Sequence, residues 1–157
     1  MSSTSHPTFL IDRSLLKQVI EEYIPFNKLL GIQADHVGHG DVRLSLAFRD
    51  ELIGDPLRRA IHGGVLSTMA DVAGGMAIWS ALEEPTARVS TVDLRVDYLR
   101  PGRPHAIVAE GTLVRLGGRI GVADVKLYHP GHESEPIATG KGVYAVKIPK
   151  ASPKSEE

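Results

Sequence analysis

Residues 62–82, HGGVLSTMADVAGGMAIWSAL, are apolar or small on every side and carry one charge, Asp71. A helix that is apolar all round is buried all round, so the remainder of the chain must enclose this segment. A membrane span is the competing reading, because about 20 apolar residues can cross a bilayer. Four glycines and a central carboxylate argue against it. So do five long runs elsewhere in which apolar and polar residues alternate. A sheet wrapped around one central helix explains both the polar outer face of those runs and the helix's missing polar face.

The alternation is clearest over 88–99. There Val92, Leu94, Val96 and Tyr98 fall on one side and Thr91, Asp93, Arg95 and Asp97 on the other. Residues 105–116, 119–129 and 137–146 read as further strands. Residues 32–48 read as a hairpin, because Val42, Leu44, Leu46 and Phe48 alternate with Arg43, Ser45 and Ala47 after the turn residues His39, Gly40 and Asp41. Gly117-Gly118 is a two-residue hairpin signal, and Pro130-Gly131 with 133–136 marks the next reversal. Successive hairpins make the sheet mainly antiparallel, and the class α+β. Ahead of the sheet, Asp12 can cap a helix to about Tyr23, with Leu15, Leu16, Val19 and Ile20 as its apolar stripe. Pro25 opens a shorter turn to Leu30, closed by Gly31. Residues 50–61, with Gly, Pro and five charges, read as a loop. The expected division is an N-terminal helical extension over 1–24, a domain over 25–148, and a polar tail over 149–157.

A chain of 157 residues, 42% hydrophobic, has room for one core and not for two full domains. Its 18 basic and 19 acidic residues nearly cancel, so the overall field favours neither nucleic acid nor an anionic membrane surface. Without cysteine there is no disulfide, thiolate metal site or cysteine nucleophile. Chemistry falls to oxygen, nitrogen and backbone groups. The first eleven residues lack the features of a secretory signal, which implies a cytoplasmic protein.

Each of Gly63, Gly64, Gly74 and Gly75 weakens a helix by about 1 kcal/mol relative to Ala, so each needs a reason. Gly63 and Gly64 fall at the helix start, where free N–H groups and the positive end of the dipole can meet an incoming oxygen. Gly74 and Gly75 suit close approach of the sheet or a second helix. Asp71 has no basic residue within a helical turn or two, so any partner must come from elsewhere in the fold. A lone buried carboxylate is costly or has its pKa raised, which suits a general base. His62 cannot join it within one chain: nine helical residues advance about 13 Å and turn about 900°, putting the two on opposite faces. Two such helices, antiparallel in a symmetric dimer, bring the Asp71 of one subunit toward the His62-Gly63 end of the other.

The segment HGGVLSTMAD (62–71), followed by STVDLRVDYLRPG (90–102), resembles the hotdog-fold acyl-CoA thioesterases, in the branch typified by the phenylacetate-degradation enzymes. The resemblance runs over most of 25–146. It implies the hotdog fold, an antiparallel sheet around one long helix, and hydrolysis of an acyl-CoA to a carboxylic acid and CoA without a further cofactor or metal. Asp71 then matches the catalytic acid, as general base or nucleophile. Gly63 supplies the backbone N–H that polarises the thioester carbonyl, His62 supports that turn, and Thr91 falls where related enzymes hold the attacking water. The family has an Asn shortly before HGG, where this chain has Asp55-Pro56; Asp55 is carried into that role. Assembly is expected as a homodimer, further paired as a dimer of dimers.

Coenzyme A needs cations for its phosphates, and the candidates are Arg100, Arg103 and the Gly117-Gly118-Arg119 turn. The acyl tunnel involves Met69, Met76, Trp79 and the N-terminal helix. Two other classes compete: a non-catalytic module binding acyl-CoA or acyl-carrier protein, in which Asp71 is dispensable, and a dehydratase. The dehydratase needs a His and an acid placed for proton transfer along the acyl chain, and the HGG-x6-D spacing favours hydrolysis.

Overall fold

The computed structural model describes residues 12–84 and 86–149. The first eleven residues and, apart from Pro149, the expected tail lie outside them. Among the described residues, eight strands and three α-helices follow one another in chain order. The extension begins with α1 (Arg13–Gln18), where Asp12 Oδ1 accepts from the Ser14 N–H (2.9 Å). It widens into a π-helical turn over Val19–Tyr23, and α2 (Pro25–Leu30), which Gly31 stops at φ 79°, follows. The stripe divides: Leu16 and Ile20 are buried, while Leu15 is exposed. Glu21 Oε1 accepts from the Ala34 N–H (2.8 Å), tying the extension to the sheet.

The sheet runs β1 (Gln33–Val37), β2 (Asp41–Leu46), β6 (Ile107–Leu116), β7 (Ile120–Tyr128), β8 (Ala138–Lys147), β5 (Arg88–Tyr98), with every neighbour antiparallel. Residues 50–61 are more ordered than the loop expected. A 3₁₀ turn, Asp50–Leu52, precedes a two-stranded ribbon of β3 (Ile53–Asp55) and β4 (Ala60–Ile61). Strands of three and two residues are too short to show alternation. The β6–β7 tip is also one residue further on than expected: the Gly117 N–H donates to Ile120 O (2.8 Å), leaving Gly118 and Arg119 at the tip.

The helix α3 (Gly63–Ser80) lies across the inner face of this sheet, in contact with β2, β5, β6, β7 and β8. Leu66, Met69, Ala70, Ala73, Gly74, Ala77 and Ile78 are its buried residues on the core side. Burying each of Leu66, Met69 and Ile78 contributes about 1.5–3 kcal/mol. The approach is close enough to dictate residue size. A Cβ added at Gly111 on β6 would stand 2.2 Å from the Ala73 carbonyl oxygen, backbone against backbone.

The outer face is polar, as the alternation required. At its centre Glu110 accepts from Tyr128 Oη (2.8 Å) and pairs with Arg43 and Lys126. Burial works to raise the Glu110 carboxyl, but the bonds from Tyr128 and Arg43 and the Lys126 charge outweigh it and hold it below its ordinary value. Burial, together with the bond to Glu110, pushes the Tyr128 hydroxyl up to about 12.

Gly111→Ala is expected to lower the unfolding free energy by about 2 kcal/mol or more, read from the urea midpoint at unchanged slope. Gly118→Ala, where an added Cβ meets nothing within 4 Å, should stay within about 0.5 kcal/mol. Equal stability of the two variants would show that helix and sheet do not lie this close.

Candidate functional site

The side of α3 that the sheet leaves uncovered carries Thr68, Asp71, Val72, Gly75, Met76 and Trp79, spaced three and four apart so that they share one face. With residues 87–91, Tyr144, Ile24, and Phe26 and Asn27 of α2, they line a cleft of about 670 Å³. Of the three side chains expected at a tunnel, Met76 and Trp79 line this cleft, whereas Met69 is fully buried in the core. The buried Trp79 Nε1–H has no acceptor among the described residues.

Asp71 is half-buried rather than enclosed. Its partner does come from elsewhere in the fold, and it is a hydroxyl: Thr91 Oγ1 donates to Asp71 Oδ1 (2.7 Å). Simple alternation places Thr91 on the opposite side of β5 from Leu94 and Val96. The structure corrects this. Thr91 pairs with Tyr144 and Asp93 with Val143, leaving Val92 as an extra residue. Such a bulge reverses the phase of the strand. Val89 and Thr91 before it therefore share the helix-facing side with Leu94 and Val96 after it, and Val92 is left 60% exposed.

A second residue reaches the same turn from the paired position. Tyr144 Oη donates to the Asp71 main-chain oxygen (3.1 Å). Burial raises the Tyr144 hydroxyl's pKa, and the Asp71 charge adds to this while the Gly75 amide partly offsets it. Sequence reasoning missed Tyr144; its one signal was the Gly74-Gly75 pair, read as room for close approach.

His62 stands at the start of α3. Its Nδ1 accepts from the Gly64 N–H (2.8 Å), making it the N-cap, with the ring exposed. The Gly63 N–H has no acceptor among the described residues, while the Gly63 carbonyl accepts from Tyr98 Oη (3.1 Å). Gly63 and Asp71 are eight helical residues apart, about 12 Å. One protomer therefore does not bring the open donor and the carboxylate together.

Asp55 has a local task. Its Oδ1 accepts from the Leu57 and Arg58 N–H groups (3.0 and 3.1 Å), closing the β3–β4 turn, and no bond joins it to Asp71. Arg100 donates to the Pro136 carbonyl and lines a shallow depression of about 320 Å³ beside Gly63 and Tyr98. Arg103 is exposed on the β5–β6 connection, its backbone N–H donating to His129 Nε2 (2.9 Å), and it lines neither this depression nor the cleft. Gly118 and Arg119 line a groove of about 730 Å³ with Arg88, Lys147, Ile148 and Pro149; Gly117 precedes this tip. Arg88 borders both this groove and the cleft. Arg88 and Lys147 were not read from the sequence, because only the β5–β8 register makes them neighbours.

Comparison with known proteins agrees with this fold. The model of the thioesterase superfamily matches residues 59–135, a stretch holding His62, Gly63, Asp71 and Thr91. The chain is 35% identical to VNG_1336C of Halobacterium salinarum, named as a candidate esterase, over 82% of this chain and 90% of that one. It is 30% identical to the medium/long-chain acyl-CoA thioesterase YigI of Escherichia coli, over 84% of this chain and 92% of that one. A solved structure from Shewanella oneidensis, related to the thioesterase superfamily, aligns with TM-score 0.76 and 30% identity over 85% of this chain and 94% of that one. The chain belongs to the thioesterase superfamily. Within that superfamily fold, the matched stretch supplies α3 and β5 with both candidate groups, while Ile24 and Phe26, which close the cleft, lie before it.

The capping role of His62 is checked by substitution. His62→Ala should cost about 1 kcal/mol of stability by urea unfolding, and His62→Asn, whose side chain is a strong N-cap acceptor, should recover most of it. No loss in the Ala variant would mean that the cap does not hold the helix start.

Proposed function

We propose that this thioesterase-superfamily protein hydrolyses medium- or long-chain acyl-CoA thioesters to the carboxylic acid and CoA, with Asp71 as general base. The observation that carries the reading is one carboxylate, bonded to the Thr91 hydroxyl, opening on an apolar cleft along α3. Asp71 takes a proton from a water that Thr91 helps to hold. The water oxygen forms the new bond to the thioester carbon, and the resulting oxyanion is met by a backbone N–H at a helix start. The C–S bond then breaks, and the CoA thiolate leaves and takes up the proton. These steps use no further cofactor or metal.

The N–H that meets the oxyanion is Gly63 of a second copy. β5 is an edge strand of 11 residues with Val92 and Tyr98 exposed, and such an edge is a template for pairing. Antiparallel pairing of β5 with its copy sets the two α3 helices side by side in opposite directions. It also draws the Arg88 end of one protomer next to the Tyr98–Arg100 end of the other. We read the assembly as this dimer, paired again into a dimer of dimers.

Two features support the assignment of substrate parts. From Asp71 past Val72 and Met76 to Trp79 is about 12 Å along α3, room for roughly ten carbons of a zigzag acyl chain. YigI, named for medium/long-chain acyl-CoA, is the relative this length favours. Arg88 and Lys147 stand directly opposite each other across β5 and β8, with Arg119 beside them. Like charges so placed repel, and none of the three has an acidic partner among the described residues; the anion that offsets them is the phosphate end of CoA. The partner's Arg100 completes this basic site. The HGG-x6-D spacing and the TVD strand support membership of the phenylacetate-degradation branch, and the reading sets the protein in the cytoplasm. Among the described residues, no helix is long and apolar enough to cross a membrane.

Asp71→Asn is expected to reduce thiol release from an acyl-CoA by about 10²- to 10⁴-fold. Gly63→Pro, which removes the N–H at a helix position that accepts proline, should be comparably impaired, and mixing the two inactive proteins with subunit exchange should restore hydrolysis. Unchanged release by Asp71→Asn would leave the acyl-CoA binding module as the reading, and failure to complement would remove the intersubunit site. Arg88→Ala with Arg119→Ala should raise KM for acyl-CoA about tenfold or more while leaving the acyl-pantetheine KM unchanged. An equal effect on both substrates would take the phosphates away from this groove.

A further inference from the structure

We propose that the Tyr144 hydroxyl is a positioning residue for hydrolysis, tethering the helical turn that carries Asp71 so that the carboxylate stays aimed at the thioester. This rests on Asp71 being the reacting carboxylate. The first observation is register: Thr91 and Tyr144 are direct partners across β5 and β8. Thr91 holds the Asp71 side chain and Tyr144 holds the Asp71 backbone oxygen. One cross-strand pair thus grips a single residue of α3 at both of its ends.

The second observation is the space given to this hydroxyl. A Cβ added at Gly74 would lie 2.2 Å from Tyr144 Oη, and one added at Gly142 would lie 2.4 Å from it. Two glycines on different elements leave a slot that the hydroxyl fills. Packing alone needs an aromatic ring and no hydroxyl there. Desolvating a hydroxyl in a site where Tyr144 is 1% exposed is unfavourable unless it is bonded. The partner it has is the carbonyl of Asp71.

The third observation is where the helix is weak. Gly74 and Gly75 stand three and four residues after Asp71, and glycine is the least favourable of the ordinary residues within a helix apart from proline. The turn that must hold the carboxylate still is therefore one with low intrinsic helical preference. Tyr144 requires the glycine at 74 and supplies, at that same turn, a donor to the main chain. The room for the tether and the need for it arise from the same residues.

Tyr144→Phe keeps the ring and removes only the donor. A tether that aims a reacting group affects the reaction step and not substrate affinity, so kcat should fall about tenfold with KM within about twofold. Because Thr91 and Tyr144 act on one residue, Thr91→Val with Tyr144→Phe should lose much less than the product of the single losses. The carbonyl carbon resonance of Asp71 should move in Tyr144→Phe, whether or not the protein is active. Should the Phe variant not fold, Tyr144→Leu, which also lacks the hydroxyl, takes its place with the same kcat loss expected. A kcat within about twofold of the parent, with Asp71→Asn inactive, overturns the tether and leaves the function standing. Multiplicative losses in the double variant overturn it too. Hydrolysis surviving in Asp71→Asn overturns the functional reading instead, and the carbonyl resonance then still reports whether the hydroxyl bond exists.

Discussion

Everything in this fold follows from how closely α3 lies on the sheet. A helix with Gly among its packed residues gives up part of its intrinsic stability, about 1 kcal/mol at each glycine. What it gains is backbone-to-backbone approach. The Ala73 carbonyl stands where a side chain at Gly111 would be. At ordinary helix–sheet spacing the hydroxyl at the end of Tyr144 would stop short of the helix main chain, and Thr91 would stop short of Asp71. The small residues are therefore part of the site, although none carries a reactive atom.

The same helix has two chemically different regions. Its N-terminus offers the open Gly63 N–H and the positive end of the dipole, which suit a developing oxyanion. Its middle carries the carboxylate, which a position near the N-terminus would bias toward the charged state and, in the proposed reaction, bring close to the oxyanion. Separating them by about 12 Å along one rigid element keeps each in its own field. In the proposed reaction neither region suffices alone, and two copies in opposite orientation are the simplest way to rejoin them.

How far this was readable from the sequence depends on the range of each interaction. The central helix, the antiparallel sheet and the separation of Gly63 from Asp71 come from local periodicity and helix geometry, and these are in the sequence. The phase of Thr91 was not, because a bulge at Val92 is one residue of strand chemistry among others and only the pairing with β8 exposes it. Tyr144 was invisible for a related reason: its slot is made by Gly74 on α3 and Gly142 on β8, which are 68 positions apart in the chain. Arg88 and Lys147 likewise become one basic pair only through register. The β3–β4 ribbon failed on length, since two and three residues cannot display a period.

The bulge at Val92 also shows which demand on β5 prevails. Bulges normally blunt edge strands, because they twist the strand and interrupt the row of hydrogen-bonding groups that a second strand would meet. In β5 the bulge falls near the middle of an 11-residue edge, where pairing with a second copy would be centred. A strand shaped only for pairing would be regular there. A regular strand, however, would turn Thr91 to the outer face with Asp93 and leave the Asp71 carboxylate without its hydroxyl. The irregularity thus weakens the edge as a template at the one point where it orients the site, and the ladder hydrogen bonds to either side of Val92 remain available for pairing. Orientation of Thr91 takes precedence over regularity of the edge.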